Sequence, residues 1–383
     1  MKKTYLLTPG PTTIPESILS SFARPIIHHR TPAFETLFAD VKKDLQALIQ
    51  TKNDVLMLAS TGTGAMDATV SNLFRKGDKV ITINGGKFGE RWTKIAKVYG
   101  LSPVEIKLEP GNAVEIKDLD QAIHSNTDAK AILFQASETS TGVRMPTKEI
   151  AALASKSGML SICDAITACG VFDLPMDAWG IDVLLTGSQK ALMLPPGLAF
   201  AALNDKAWAL VEKSDLPKFY FDLAKERKSQ AKNQTAWTPA ITLIQGLQEA
   251  LRMIKEEGLQ NVFKRHELLA GATRNAVQAL GLEMLAKKAP SPAVTAVKVP
   301  SSIANGKLIP KTMREKYGVT ISGGQDELEG KIFRLSHFGY CEKFDIITGI
   351  SCLELVLNEL GHKAEYGKGV GAALRTFAEE GNR

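Results

Sequence analysis

From about residue 54 the chain alternates short, nearly continuous apolar runs with stretches of helical period. Strand candidates are Val55–Ala59, Lys79–Ile83, Val104–Leu108, Ala131–Gln135, Leu160–Asp164, Asp182–Thr186 and Leu198–Leu203. Between them lie helical segments such as Ala65–Phe74, Glu90–Tyr99 (closed by Gly100) and Lys148–Ser157. Strands without polar alternation, separated by amphipathic helices, predict a mostly parallel sheet of seven strands buried on both faces. Long helices are expected over Ile241–Glu257 and Leu259–Leu280. After Pro290-Ser291-Pro292 the rhythm changes. Val294–Val299, Gly318–Ile321 and Ile332–Ser336 read as strands and Asp345–Leu360 as a helix.

The pattern divides the chain into an extended, Pro-rich segment over 1–20, a large α/β domain over 21–255 and a smaller α+β domain over 256–383. The last twenty residues, with Gly367, Gly369 and Gly371, suggest a short amphipathic helix whose place the pattern does not show.

Composition adds limits. Hydrophobic residues make up 44% and charged residues 23% of 383, with a mean hydropathy of −0.05, a globular balance. No apolar run approaches the ~20 residues of a membrane span. The excess of 47 basic over 41 acidic residues is spread along the chain, without the clusters a nucleic-acid surface requires. The four cysteines form no CxxC pair, so neither a metal knuckle nor a redox dithiol is expected, and no metal site is predicted. The apolar stretch after Met1-Lys2-Lys3 is broken by Pro9-Gly10-Pro11, too soon for a signal peptide; the expectation is a cytoplasmic protein.

Three features suggest chemistry. Between Ser157 and Asp205 the only basic residue is Lys190, where the average frequency predicts about six. An ammonium in such apolar surroundings is costly unless it reacts, pairs or loses its proton. Asp164 ends an apolar strand one step earlier, and strand carboxyl ends in an open parallel sheet face the ligand crevice. Ser60-Thr61-Gly62-Thr63-Gly64 lies between a strand and a helix, as a cup for one anion does. It fails as a dinucleotide fingerprint, because Asp67 stands at the third glycine position. Taken singly, the lysine also fits a side chain snorkelling to solvent, and the aspartate a helix N-cap. Together, a lysine, an acid and a one-phosphate cup match the needs of pyridoxal phosphate: an amine for the aldehyde, a carboxylate for the pyridine nitrogen, donors for the phosphate.

At this point the residues become recognisable. The chain resembles the class V aminotransferases, in particular the alanine–glyoxylate and serine–glyoxylate (serine–pyruvate) group. The resemblance rests on Leu7-Thr8-Pro9-Gly10-Pro11, His29-Arg30-Thr31-Pro32, Ser60 to Ala65, Gly86 to Trp92 and Glu138-Thr139-Ser140-Thr141-Gly142. It continues through Asp164-Ala165, Thr186 to Leu192, Pro195-Pro196-Gly197, Arg265-His266 and Phe333 to His337. It implies the fold type I architecture of pyridoxal-phosphate transferases and a homodimer with active sites near the interface.

By this resemblance Lys190 is the Schiff-base lysine and proton carrier, and Asp164 the pyridinium partner. Thr61, Gly62 and Thr63 form the phosphate cup with Gln189 beside it. Thr139 lies near the ring's 3′-oxygen, and Phe88 takes the stacking position that is often Trp in relatives. Thr63 stands where some relatives have His. Arg334 grips the substrate carboxylate, and Gly10 borders the substrate pocket. Thr238 or Thr235 crosses the dimer interface to the neighbour's phosphate. The expected reaction is ping-pong transfer of the amino group of alanine or serine to glyoxylate or pyruvate. Aspartate is the alternative donor if His29 or Arg30 reaches a distal carboxylate. A lyase or desulfurase reaction and a non-catalytic hydrogenase-associated subunit are the other readings. His337 and Cys341 are expected to be structural.

Overall fold

The computed structural model describes residues 3–381; the reading of the chain start therefore touches Met1 and Lys2, which lie outside it. The seven predicted strands form one sheet. They are β1 (Val55–Ser60), β2 (Lys79–Asn84), β3 (Ser102–Lys107), β4 (Ala131–Gln135), β5 (Leu160–Asp164), β6 (Val183–Gly187) and β7 (Gly197–Leu203). Their spatial order is β1-β7-β6-β5-β4-β2-β3. Only β7 runs antiparallel to its neighbours.

Successive side chains along each strand point to opposite faces. Both faces are apolar here. Met57, Ile83, Phe134, Leu184 and Phe200 enter one core, while Leu56, Val80, Leu133, Leu185 and Ala201 enter the other. The helices Pro32–Ile49 and Ile241–Glu257 cover the first face, and Gly62–Leu73 with Trp92 and Ala96 the second. The edge strand β3 begins two residues before its predicted start. It is half exposed, so Ser102 and Glu105 dilute its apolar pattern, and its edge position tolerates Pro103.

A third apolar cluster joins Leu7 to residues between Leu269 and Phe377. Within it, β8 (Val294–Lys298), β9 (Ser322–Gly323) and β10 (Ile332–Ser336) form an antiparallel sheet ordered β8-β10-β9. The single strand expected over Gly318–Ile321 is split. Val319–Thr320 pairs in parallel with Tyr5–Leu6, and β9 pairs with β10. The N-terminal segment is thus tied by its backbone to this sheet region.

Gly369 and Gly371 belong to a helix, Lys368–Gly381, which Gly367 immediately precedes and which packs on Leu259–Ala279 and Lys343–Glu359. Its first turn is capped by the buried Glu354, which accepts Gly367 N at 2.7 Å, Gly369 N at 2.8 Å and Val370 N at 3.1 Å. Among the described residues no helix is long and apolar enough to cross a membrane.

Candidate active site

β6 delivers the chain to Gly187, and Ser188-Gln189-Lys190 leave the sheet at its carboxyl end. Ser188 Oγ donates to Pro195 O (2.7 Å) and accepts Leu198 N (3.2 Å), pinching the two ends of the loop together. The N-terminal segment lies over it. Thr12 Oγ1 donates to Lys190 O (2.9 Å), and Lys190 Nζ donates to Pro9 O (2.5 Å). Gly10 has φ +111°, and a Cβ there would fall 2.2 Å from Nζ, so only glycine fits this close approach. Lys190 is 8% exposed, and burial pushes its pKa down to about 8. Asp164 opposes that shift, whereas Arg334 and Arg91 add to it.

Asp164 ends β5, the strand beside β6, paired in register with Leu185. Burial pushes its carboxyl up to about 6. The Ile166 amide, 2.9 Å from Oδ1, favours the charged form, as do Arg91 and Lys190; Glu138 disfavours it. At neutral pH Asp164 is therefore an ionised, nearly dry carboxylate facing the lysine's crevice.

The glycine-rich cup differs from its expected form. It is no loop ahead of a helix starting at Ala65 but the first turn of Gly62–Leu73 itself. The first backbone bond runs from Gly64 N to Thr61 O (2.8 Å), so the amides of Gly62 and Thr63 precede the helical ladder. Thr61 makes no side-chain cap bond. A Cβ at 62 would meet Ile166 Cδ1 at 2.1 Å, so a larger residue there would have to displace the end of that side chain. Gln189 reaches the same place. Its side-chain oxygen is buried without a partner among the described residues, beside the Gly187 position that also neighbours Gly62 N.

Arg334, on β10, is 5% exposed. Nε donates to Gly323 O and Nη1 to Thr139 O, both at 3.0 Å, leaving Nη2 for a ligand. Burial pushes its pKa down to about 10, with Glu138 opposing. Thr139 Oγ1 shares a hydrogen bond with Thr167 Oγ1 (2.6 Å), which donates to Ser137 O.

Sequence reasoning assigned no role to two residues here. Glu138, fully buried, accepts Gly89 N (2.9 Å), Phe88 N (3.4 Å) and both Ser140 donors, fixing the backbone at Phe88 and Gly89. Arg91 lies over the Phe88 ring, 4.7 Å from its centroid, and Nη1 donates to Thr63 Oγ1 (2.9 Å). Its i,i+3 spacing from Phe88 was the available signal.

Other expected residues lie elsewhere in this chain. Thr238 lines a cleft with Thr235, Trp237, Tyr220 and Leu58. Arg30 Nη1 donates to Gln234 Oε1 (2.6 Å), and Arg30 N donates to His28 Nδ1. His337 is buried on Thr295, and Cys341 is a buried thiol whose pKa burial pushes up. Among the described residues no cluster of three or more ligating side chains is poised for a metal.

A near-dry amine, an ionised acid one strand away, and a helix start with free donors fit pyridoxal phosphate. The fold and site thus define a pyridoxal-phosphate enzyme of the α/β transferase type. The comparisons agree. Residues 4–335 match the family described as aminotransferase class-V. The chain is 41% identical to the soluble hydrogenase 42 kDa subunit of Anabaena cylindrica (98% of this chain, 99% of that one). It is 33% identical to the L-aspartate–glyoxylate aminotransferase of Paracoccus denitrificans (98% and 96%). The structure of the ureidoglycine–glyoxylate aminotransferase of Bacillus subtilis superposes with a TM-score of 0.94 at 28% identity, covering 99% of both chains. The chain belongs to the class V aminotransferase family and is a pyridoxal-phosphate-dependent aminotransferase.

Proposed function

We propose that the enzyme moves the amino group of a small neutral amino acid, alanine or serine, to glyoxylate or pyruvate in two ping-pong half-reactions. The observation that supports a small donor is the distribution of cations. Arg334 is the guanidinium on the substrate side, Arg91 lies at the Thr63 end of the crevice, and Arg30 is bonded to Gln234.

Pyridoxal phosphate, when bound, supplies an aldehyde that condenses with amines and a ring that takes up the electron pair left at Cα. Lys190 holds it and, as a free amine, takes the Cα proton; a pKa pushed down to about 8 keeps part of that amine neutral near pH 7. Asp164 keeps the ring nitrogen protonated. Arg334 orients the α-carboxylate, which suits a planar fork of donors. Gly10 shapes the pocket at the amine. Thr61, Gly62, Thr63 and Gln189 hold the phosphate, while Phe88 and Thr139 flank the ring.

Thr238 reaches the neighbour's phosphate in a homodimer. The exposed Leu19, Ile26, Phe219 and Tyr220 support such an interface. The third apolar cluster supports a small C-terminal domain over 256–383, distinct from the large domain over 21–255. Four unpaired, buried cysteines support a reducing, cytoplasmic setting.

The test is a half-reaction. Stoichiometric alanine or serine should remove the visible absorbance of the loaded enzyme and yield one equivalent of oxo acid. A panel of acceptors then ranks glyoxylate, pyruvate and 2-oxoglutarate. A preference for aspartate of more than about tenfold in kcat/KM would replace the donor assignment, an alternative favoured by the name of the Paracoccus relative. Release of ammonia would point to a lyase, and alanine formed from cysteine to a desulfurase, although the buried Cys341 is a poor nucleophile. A chain in which Lys190→Ala changed nothing measurable would favour the partner-subunit reading.

A further inference from the structure

Arg91 is a crevice cation without an anion. Among the described residues no carboxylate lies within ion-pair distance of it. The adjacent Glu90 turns instead to Lys94 (2.8 Å) and Lys87 (3.9 Å). Arg91 is held by two neutral contacts. Its guanidinium lies over the Phe88 ring, and Nη1 donates to Thr63 Oγ1. A guanidinium carries five N–H donors in one plane, so a single bond to a hydroxyl leaves most of its capacity unspent. Its charge also reaches both ends of the reaction centre, lowering the pKa of Asp164 and that of Lys190.

Those contacts fix where the free donors sit. Thr63 belongs to the first turn of Gly62–Leu73, where the Gly62 and Thr63 amides precede the helical ladder and Thr61 makes no side-chain cap bond. A helix terminus offers only about half a unit of positive charge. A phosphate monoester carries between one and two negative charges near pH 7. The cup by itself leaves most of that charge uncompensated, and Arg91 is the adjacent full positive charge with no competing carboxylate.

We propose that Arg91 is a ligand of the cofactor's 5′-phosphate, approaching from the Phe88 side and sharing Thr63 with it. The assignment rests on the pyridoxal-phosphate reading of the site. It gives one residue two tasks: clamping the phosphate and backing the ring that stacks on the cofactor.

The experiment compares two aldehydes that differ only in the phosphate. Apo-enzyme is titrated with pyridoxal phosphate and, separately, with pyridoxal, following the visible band and trapping the product at Lys190 with borohydride. Arg91→Met retains an apolar stem over Phe88 and removes the charge. It is expected to weaken pyridoxal phosphate by about 10- to 100-fold while leaving pyridoxal within about twofold. Arg91→Lys should restore part of the loss, since a point charge replaces a planar fork. Pyridoxal binding also verifies that each variant is folded.

Equal weakening of both aldehydes would make Arg91 a bracket for Phe88 and overturn the assignment. Unchanged pyridoxal phosphate affinity would overturn it too, and with a raised KM for aspartate would move Arg91 to the substrate. Failure of the unaltered enzyme to be trapped at Lys190 by either aldehyde would instead defeat the cofactor reading itself.

Discussion

An ammonium with almost no water around it gives up its proton readily, and Lys190 is in that position. Its neutral form is the one that attacks an aldehyde. The rate of pyridoxal phosphate uptake by apo-enzyme should therefore rise with pH through about 8 and level off above it. Asp164 is the nearby charge that raises the lysine's pKa, so Asp164→Asn should move that midpoint to lower pH. The same variant should retain the cofactor and lose at least about 100-fold in kcat, because the ring nitrogen loses its proton-holding partner. A midpoint that stayed in place would mean the two groups do not share a crevice. Gly10→Ala is the sharper steric probe. It forces a positive φ on a residue with a Cβ and drives that Cβ into Nζ, so kcat should fall more than about tenfold with a stability loss of about 1–2 kcal/mol, read by turnover and thermal melting. Lys190 and Asp164 were legible because apolar neighbours isolate them in the chain. Glu138 and Arg91 were not, because each lies among polar residues and, besides near neighbours, depends on distant partners: Glu138 on the Phe88 and Gly89 amides 50 and 49 positions away, Arg91 on Thr63 28 positions away.

Elements show the same division. β4, β5 and β10 have the bounds their apolar runs predict, since burial of every residue leaves no ambiguity at the ends. The helices at Ile241 and Leu259 start where predicted, but those at Gly62, Lys87, Thr147 and Lys343 start one to three residues early, because an N-terminus is decided by what its first amides meet. Gly62–Leu73 begins early so that its free donors face the cup; Lys368–Gly381 exists as a docked element through Glu354. Removing that carboxylate orphans three buried or half-buried amides. Glu354→Ala should destabilise the protein by about 2–4 kcal/mol, and hydrogen exchange over 367–381 should quicken well before the sheet is affected. Unchanged protection there would show that apolar packing alone anchors the helix.

At the scale of the molecule, the exposed apolar set of Ile26 and Phe219 lies outside every core cluster, on the same chain as a Thr238 that lines a separate cleft. In the proposed dimer, Phe219→Asp with Ile26→Asp should give monomers on sedimentation and also weaken pyridoxal phosphate binding, since Thr238 would no longer reach a second phosphate. Monomers with undiminished binding would remove Thr238 from the site. The alternation of strands and helices, the lone lysine, the strand-end acid and the cup are local facts, written in neighbouring residues, and reading along the chain recovers them. The threading of Pro9 and Gly10 over Lys190, the split at Ile321, the capture of Arg334 by Thr139 and the bond of Arg91 to Thr63 arise only on folding. Each needs groups far apart in the chain to be brought within hydrogen-bond or ring-contact range, and no periodicity along one segment encodes such a distance.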